Sequence, residues 1–441
     1  MMPNGHKIAT TVLLLLLPAA ARGGDWLQWR GPNLNGSTDE TDLPVSFSRT
    51  ENIAWVVRMP GLSGATPIVV GERIFLSSSV YDSSDLLGLC LSAGDGREIW
   101  RKTFGRGTTE PRGEMAASSP CSDGKRVYFV HGNGMLSALT FDGAIVWQRD
   151  MTKEYGPMAV KFGYGCTPLL HEGKMYVVVL RRERPYSYNP GAETAPDKPL
   201  ESFVMSLDPA TGKTLWRQVR KTDATEESRE VYITPMPIKV GERTEIVIPG
   251  GEFVTGHDAA TGKELWRWEI TPTRLIWQRI VASPTIGAGL IFFPQAKARG
   301  FYALRPGGRG RLGAAAYAWK RDDVGSDVCT PLLYRGLLYV VNGDRKTITA
   351  LRPKTGKTVW QQKLTVAGPF RASPTGADGK VHLISEGGDV VILAAGEQYK
   401  ELFRISLGAR PSRSSIVPAH KSLYLRLSKH LVCVRNLAAT P

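Results

Sequence analysis

The chain has 441 residues, 42% of them hydrophobic and 22% charged, with a formal net charge of +15. That balance is globular and excludes a predominantly disordered polymer. Five widely spaced cysteines, none adjacent, exclude a disulfide-rich scaffold, a C-x-x-C zinc site and a C-x-x-C-H haem attachment.

The chain opens with Lys7, the apolar run Ile8 to Ala21, and small residues that include Ala19 and Ala21 in an A-x-A arrangement. This predicts a secretory signal peptide over residues 1–21, since the run is shorter than the roughly 20 residues a bilayer span requires. Its removal takes away Lys7 and no acid, lowering +15 to +14. A basic exported protein favours anionic surfaces or an acidic partner, and export takes the chain away from nucleic acid. No later segment reads as transmembrane. A lead-in, residues 22–50, carries "DWLQWRGPNLNG", Asp25 to Gly36.

From residue 51 onward the chain repeats itself. "ATGKTLW", Ala210 to Trp216, returns as "ATGKELW", Ala260 to Trp266, and as "KTGKTVW", Lys354 to Trp360. Aligned on its closing aromatic, the repeat gives a ladder of Trp55, Trp100, Trp147, Trp216, Trp266, Trp319, Trp360 and Phe403. A second marker, Ser or Thr before Pro, occurs at Thr66, Ser119, Thr167, Thr234, Ser283, Thr330 and Ser373, with a degenerate eighth copy at Ser415. Each marker precedes a short apolar run, a turn and β-rich segments such as "RVYFV" and "LLYVV", which read as strands. No long segment has helical periodicity.

Four antiparallel strands per unit around a ring predict an all-β, eight-bladed β-propeller over residues 51–441. The last unit ends after "HLVCVRN", while "NIAWVV", Asn52 to Val57, has no unit of its own. The N-terminal strand is therefore expected to close the last blade. The ladder tryptophans are expected to pack blade against blade.

On these motifs the chain resembles the quinoprotein-type, pyrroloquinoline-quinone (PQQ)-binding-like propellers, whose blades carry a docking pattern A-x-D-x-x-T-G-x-x-x-W. "SLDPATGKTLW" and "GHDAATGKELW" fit it, "ALRPKTGKTVW" lacks the Asp, and the copies at Trp319 and Phe403 are degenerate. The resemblance implies either a scaffold of the BamB assembly-factor type or an alcohol or sugar dehydrogenase holding PQQ and Ca²⁺ in the central channel. The vicinal cysteine pair of methanol-dehydrogenase-like members is missing here, as is the lipobox cysteine of BamB-type lipoproteins. The Glu, Asn and Asp that the dehydrogenases use for Ca²⁺ and proton abstraction map onto no assigned positions.

Loops between blades and between second and third strands should share one face. The longest are "RRERPYSYNPGAETAPDKPLES", Arg181 to Ser202, and "KTDATEESREV", Lys221 to Val231. Arg181, Arg182 and Arg184 beside Tyr186 and Tyr188 read as a surface for an anionic partner. "RPGGRGRLG" in the fifth unit reads as a tolerated insertion on the opposite face, and His131 and His257 as polar loop or turn residues. Asn342, Asp344 and Glu252 lie at hairpins and are the nearest candidates for a Ca²⁺ ligand or a base, although turn chemistry alone accounts for them. Trp277 sits in an inter-blade segment, where packing competes with stacking on a ligand at the channel mouth. No catalytic or metal residue is assigned. The expectation is an exported, non-catalytic propeller that binds a protein or an anionic envelope component through its loop-rich face, with a PQQ/Ca²⁺-dependent dehydrogenase as the alternative.

Overall fold

A computed structural model describes residues 24–107, 114–270 and 275–437. The signal-peptide segment lies outside these residues. Eight antiparallel sheets are arranged as successive blades. Blade one is built from Ile68–Val70, Arg73–Ser79, Asp85–Ser92 and Glu98–Arg106, hydrogen-bonded in chain order. Blades two to seven repeat that order, and blade eight is Val417–Ala419, Ser422–Arg426, His430–Arg435 and then Ile53–Arg58 from the other end of the chain. In that closing pair Trp55 lies opposite Cys433 and Arg58 opposite His430. Among the described residues, no helix is long and apolar enough to cross a membrane.

Burial follows radius. Second and third strands such as Arg126–Val130 and Phe203–Leu207 are buried along almost their whole length, because blades stack on both of their faces. Outer strands such as Ile145–Asp150 and Thr214–Val219 are largely exposed and carry charged or amide side chains, which protects a free sheet edge from pairing with another chain. All five cysteines are buried free thiols.

The repeated heptad couples each blade to the next. The indole N–H of Trp55 donates to the Ala93 carbonyl at 3.2 Å, Trp100 to Phe141 at 2.8 Å, Trp147 to Pro209 at 2.9 Å, Trp216 to Ala259 at 3.2 Å, Trp319 to Pro353 at 2.8 Å and Trp360 to Gly396 at 2.9 Å. Each acceptor lies in or beside the turn that opens the heptad of the next blade. The glycine of that turn meets the ring: a Cβ at Gly212 would stand 2.6 Å from Trp147, and one at Gly262 2.4 Å from Trp216. Both glycines also have positive φ, +70° and +76°. Thus the Gly of each motif receives the preceding blade and the Trp reaches the following one. At the eighth ladder position Phe403 packs at 5.2 Å against Phe47 of the lead-in.

Blade four departs from the pattern, and here one expectation is corrected. "RPGGRGRLG" does not hang as a free insertion: Gly310–Leu312 adds to blade four as a fifth strand, parallel to Trp266–Trp268. With the neighbouring turn so rebuilt, Trp266 folds onto its own blade. A Cβ at Gly256 would stand 2.1 Å from its ring, and its indole donates to the Glu245 carboxylate at 2.6 Å. Trp268 makes the inter-blade contact instead, 5.0 Å from Tyr302 and 5.9 Å from Phe293.

The lead-in crosses the face that bears the first hairpin turns and closes that end of the channel. Trp26 is fully buried and bridges to Val69 of blade one. Leu27 accepts from the Ser122 N–H of blade two, and Gln28 exchanges bonds with Leu170 of blade three. Arg30, buried, then reaches the Pro331 and Pro374 carbonyls of blades six and seven at 2.9 and 3.3 Å. Burial pushes its pKa down to about 9. Asp25 accepts from His420 of blade eight at 2.9 Å, which holds that imidazole above its ordinary pKa through the hydrogen bond.

Gly212→Ala should cost on the order of 1–3 kcal/mol, from strained φ and collision with Trp147. A denaturant titration with an unchanged slope and a lowered midpoint checks it. Because the folded-state pKa of His420 is raised, the Asp25 bond adds stability below about pH 6.5 and loses it as pH rises through that raised value. Amide exchange over residues 25–30 should accelerate across that window, and Asp25→Asn should remove the dependence.

Candidate functional site

The Ser/Thr-Pro markers line the channel, where the first strands of neighbouring blades converge. At six of the eight junctions the hydroxyl accepts from the backbone N–H of the equivalent residue one blade earlier. Ser415 N donates to Thr66, Thr66 N to Ser119, Ser119 N to Thr167, Thr234 N to Ser283, Ser283 N to Thr330 and Thr330 N to Ser373, at 2.8 to 3.2 Å. The degenerate copy at Ser415 takes part through its backbone N–H. Proline cannot donate, so the residue ahead of it supplies the bond between blades.

Between this hoop and the loop-rich face lies a cavity of about 560 Å³. Trp29 of the lead-in, Phe162 and Tyr232 give it aromatic surface. Three arginines line it, each tied to carboxylates. Arg413 bonds Glu114 and Glu386, both at 2.7 Å; Arg279 bonds Glu227 at 2.7 Å and lies 3.7 Å from Asp327; Arg371 bonds Asp344 at 2.7 Å. Beside them Glu230 is fully buried and accepts from the Lys161 N–H, the Tyr186 hydroxyl and the Tyr232 hydroxyl, all at 2.9 Å. Burial raises its pKa despite those donors.

The two long loops fold onto one another, so they do share a face. Arg181 is buried: its guanidinium donates to the carbonyls of Tyr155, Gly156, Pro157 and Glu201, and burial lowers its pKa to about 10. Arg182 pairs with Glu226 of the second loop and lies 4.3 Å over the Tyr186 ring. Tyr186 stacks on Tyr188 at 5.2 Å, and Tyr188 donates to the Lys161 carbonyl. Arg184 is exposed. Of the five, Arg182 and Tyr186 reach the second loop, Arg181 and Tyr188 anchor the first loop to residues 155–161, and Arg184 faces solvent.

Trp277 is 55% exposed, and Ile276 beside it is 41% exposed. The Lys161 ammonium lies 5.5 Å from the Trp277 ring and 5.6 Å from the Phe162 ring, so one cation joins the exposed indole to the channel wall. Asn342 accepts from the Arg345 N–H, as turn chemistry requires. His131 and His257 are corrected from loop residues to core ones. His131 stacks on Phe104 at 5.2 Å, and burial pushes both imidazoles to about 4.

The charged wall of the cavity was not singled out in the sequence. Its arginines stand just before the markers, Arg279 ahead of Ser283, Arg371 ahead of Ser373 and Arg413 ahead of Ser415. That offset was the available signal.

Among the described residues no three His, Cys, Asp or Glu side chains group as a metal would need. Glu114, Glu386, Asp327 and Asp344 each face an arginine, so Ca²⁺ would have to displace a guanidinium. The donor set does not fit the ion. The paired carboxylates likewise oppose the charge of a planar acid such as PQQ.

A family model described as outer membrane protein assembly factor BamB matches residues 84–362 and 318–435. Solved structures similar to the chain include a quinohemoprotein alcohol dehydrogenase from Comamonas testosteroni, at 13% identity and TM-score 0.65, covering 96% of this chain and 82% of that one. A europium-containing methanol dehydrogenase aligns at 12% identity and TM-score 0.67, covering 92% and 90%. BamB from Moraxella catarrhalis aligns at 13% identity and TM-score 0.58, covering 86% and 98%. At such identities the likeness is one of fold. No curated protein matches by sequence.

Ser119→Ala should leave the buried Thr66 N–H without an acceptor and cost about 1–3 kcal/mol, with Ser119→Thr restoring most of it. Thermal unfolding of the two variants side by side checks this. With the repeat, the ring and the matched model in agreement, the chain belongs to the PQQ-type propeller family described as outer membrane protein assembly factor BamB.

Proposed function

We propose that this protein is an exported, non-catalytic propeller that binds a protein partner on its loop-rich face. The observation that carries this reading is the exposed Ile276–Trp277 pair, backed by Lys161 and Phe162 on the same face as the long loops. A large aromatic left in water beside basic side chains is the composition of a binding hot spot, where an indole fills a partner's pocket and charge steers the approach. Arg184 and the net charge of +15 favour an acidic partner surface. Membership of a family described by an assembly factor supports a protein as the partner.

The test is retention of the purified protein on envelope fractions at low and moderate salt. Trp277→Ala should reduce retention about tenfold, Arg184→Ala should reduce its salt sensitivity, and protease treatment of the fractions should abolish it. Undiminished retention of the Trp277→Ala, Arg184→Ala double variant would defeat the reading. Retention that survives protease would replace the protein by an anionic polymer.

The fold likeness to the dehydrogenases motivates a second reading, a PQQ/Ca²⁺-dependent alcohol or sugar dehydrogenase with an atypical site, which the channel's paired carboxylates do not fit. PQQ would supply the electron acceptor, against the opposing charge of the carboxylates paired with the channel arginines. A quinone absorbance that survives desalting after addition of PQQ and Ca²⁺, with dye reduction by alcohols or sugars, would put this reading first. Neither signal is expected.

A further inference from the structure

The cavity at the centre of the ring has a feature that neither reading uses. Its lining contains three arginines, Arg279, Arg371 and Arg413, and three carboxylates, Glu114, Asp327 and Glu386, balanced in formal charge among themselves, while Glu227 and Asp344 oppose Arg279 and Arg371 from outside the lining. The pairs are interleaved: Arg413 bridges Glu114 of the connection between blades one and two and Glu386 of the inner hairpin of blade seven. An anion placed here gains from a guanidinium and loses to the carboxylate beside it. Simple electrostatics therefore selects against a polyacid, although the chain as a whole is basic.

A neutral ligand with many hydroxyls meets the opposite balance. Each Arg–carboxylate pair presents donors and acceptors side by side, so adjacent hydroxyls donate to the carboxylate and accept from the guanidinium in charge-assisted bonds. The marker residues Ser119, Thr167, Thr234, Ser373 and Ser415 add hydroxyls to the same wall. Trp29, Phe162 and Tyr232 supply flat apolar surface for the C–H face of a sugar ring, with Phe162 and Tyr232 centred 6.2 Å apart. The volume of about 560 Å³ falls within the roughly 300–1,000 Å³ range of small-molecule sites. The lead-in closes the far end, so such a ligand enters from the loop-rich face.

We propose that the channel is a binding site for a neutral saccharide of one or two rings, seated on Trp29 and held by the paired arginines and carboxylates. This site goes beyond the partner surface and does not depend on it. Titrations of the full mature chain, followed by indole fluorescence and calorimetry, would use neutral hexoses, N-acetylhexosamines and disaccharides, with citrate and glucuronate as anionic counterparts. At least one neutral saccharide should bind saturably and with little dependence on salt, while citrate should not. Glu386→Gln keeps the side-chain volume but removes one of the two carboxylates that oppose Arg413. It should weaken the saccharide about tenfold and admit citrate. Trp29→Phe should weaken binding less than Trp29→Ala. Trp277→Ala should leave saccharide affinity unchanged, which separates this test from that of the partner surface. Binding of citrate in place of every neutral sugar, or no binding of any probe to folded protein, would overturn the proposal.

Discussion

The ring depends on one pairing between sequence-distant segments. Ile53–Arg58 completes the sheet of His430–Arg435, so the last blade exists only when both ends of the propeller have folded. Without that strand, blade eight would show a free edge next to blade one, and the Trp55 contact to Ala93 would have no origin. Closure is costly in chain entropy, because the loop it joins is nearly the whole molecule, yet that cost grows only logarithmically with length. One antiparallel strand pair and one docked indole on the far side of it stabilise a closed ring in which blade eight has four strands like the others.

Within the closed ring, blades are held at two radii by different chemistry. Outside, a Trp from one blade covers a Gly from the next, an apolar contact that is reciprocal around the repeat. Inside, Ser and Thr hydroxyls accept backbone N–H groups from the preceding blade. Blade four shows that the outer contact is replaceable. Its Trp266 turns inward once a parallel strand from the following blade occupies the edge, and Trp268 takes over the contact.

The same geometry gives the two ends of the channel different fates. The lead-in is tied to blades one, two, three, six, seven and eight and blocks one end. At the other end the arginines preceding the inner strands converge with carboxylates from neighbouring blades. The result is a lined, charge-balanced hollow below a rim whose most exposed aromatic is Trp277.

The blade count, the closing strand and the coupling role of the heptads were legible in the sequence, because each depends on local chemistry repeated at a regular interval. A turn glycine, a docking indole and an inner-strand hydroxyl do the same work in most copies. The fates of Arg181 and Arg184 were not legible: three positions apart in one basic loop, the first is spent on four carbonyls and the second faces water. Nor could spacing show that Gly310–Leu312 would join the preceding blade, or that Arg413 would meet Glu114 from 299 positions away. Repetition along the chain by itself determined the ring, since every blade solves one packing problem with its neighbour. Only tertiary structure decided the charge of the channel and the exposure of its rim, because both are sums over residues that closure alone brings together.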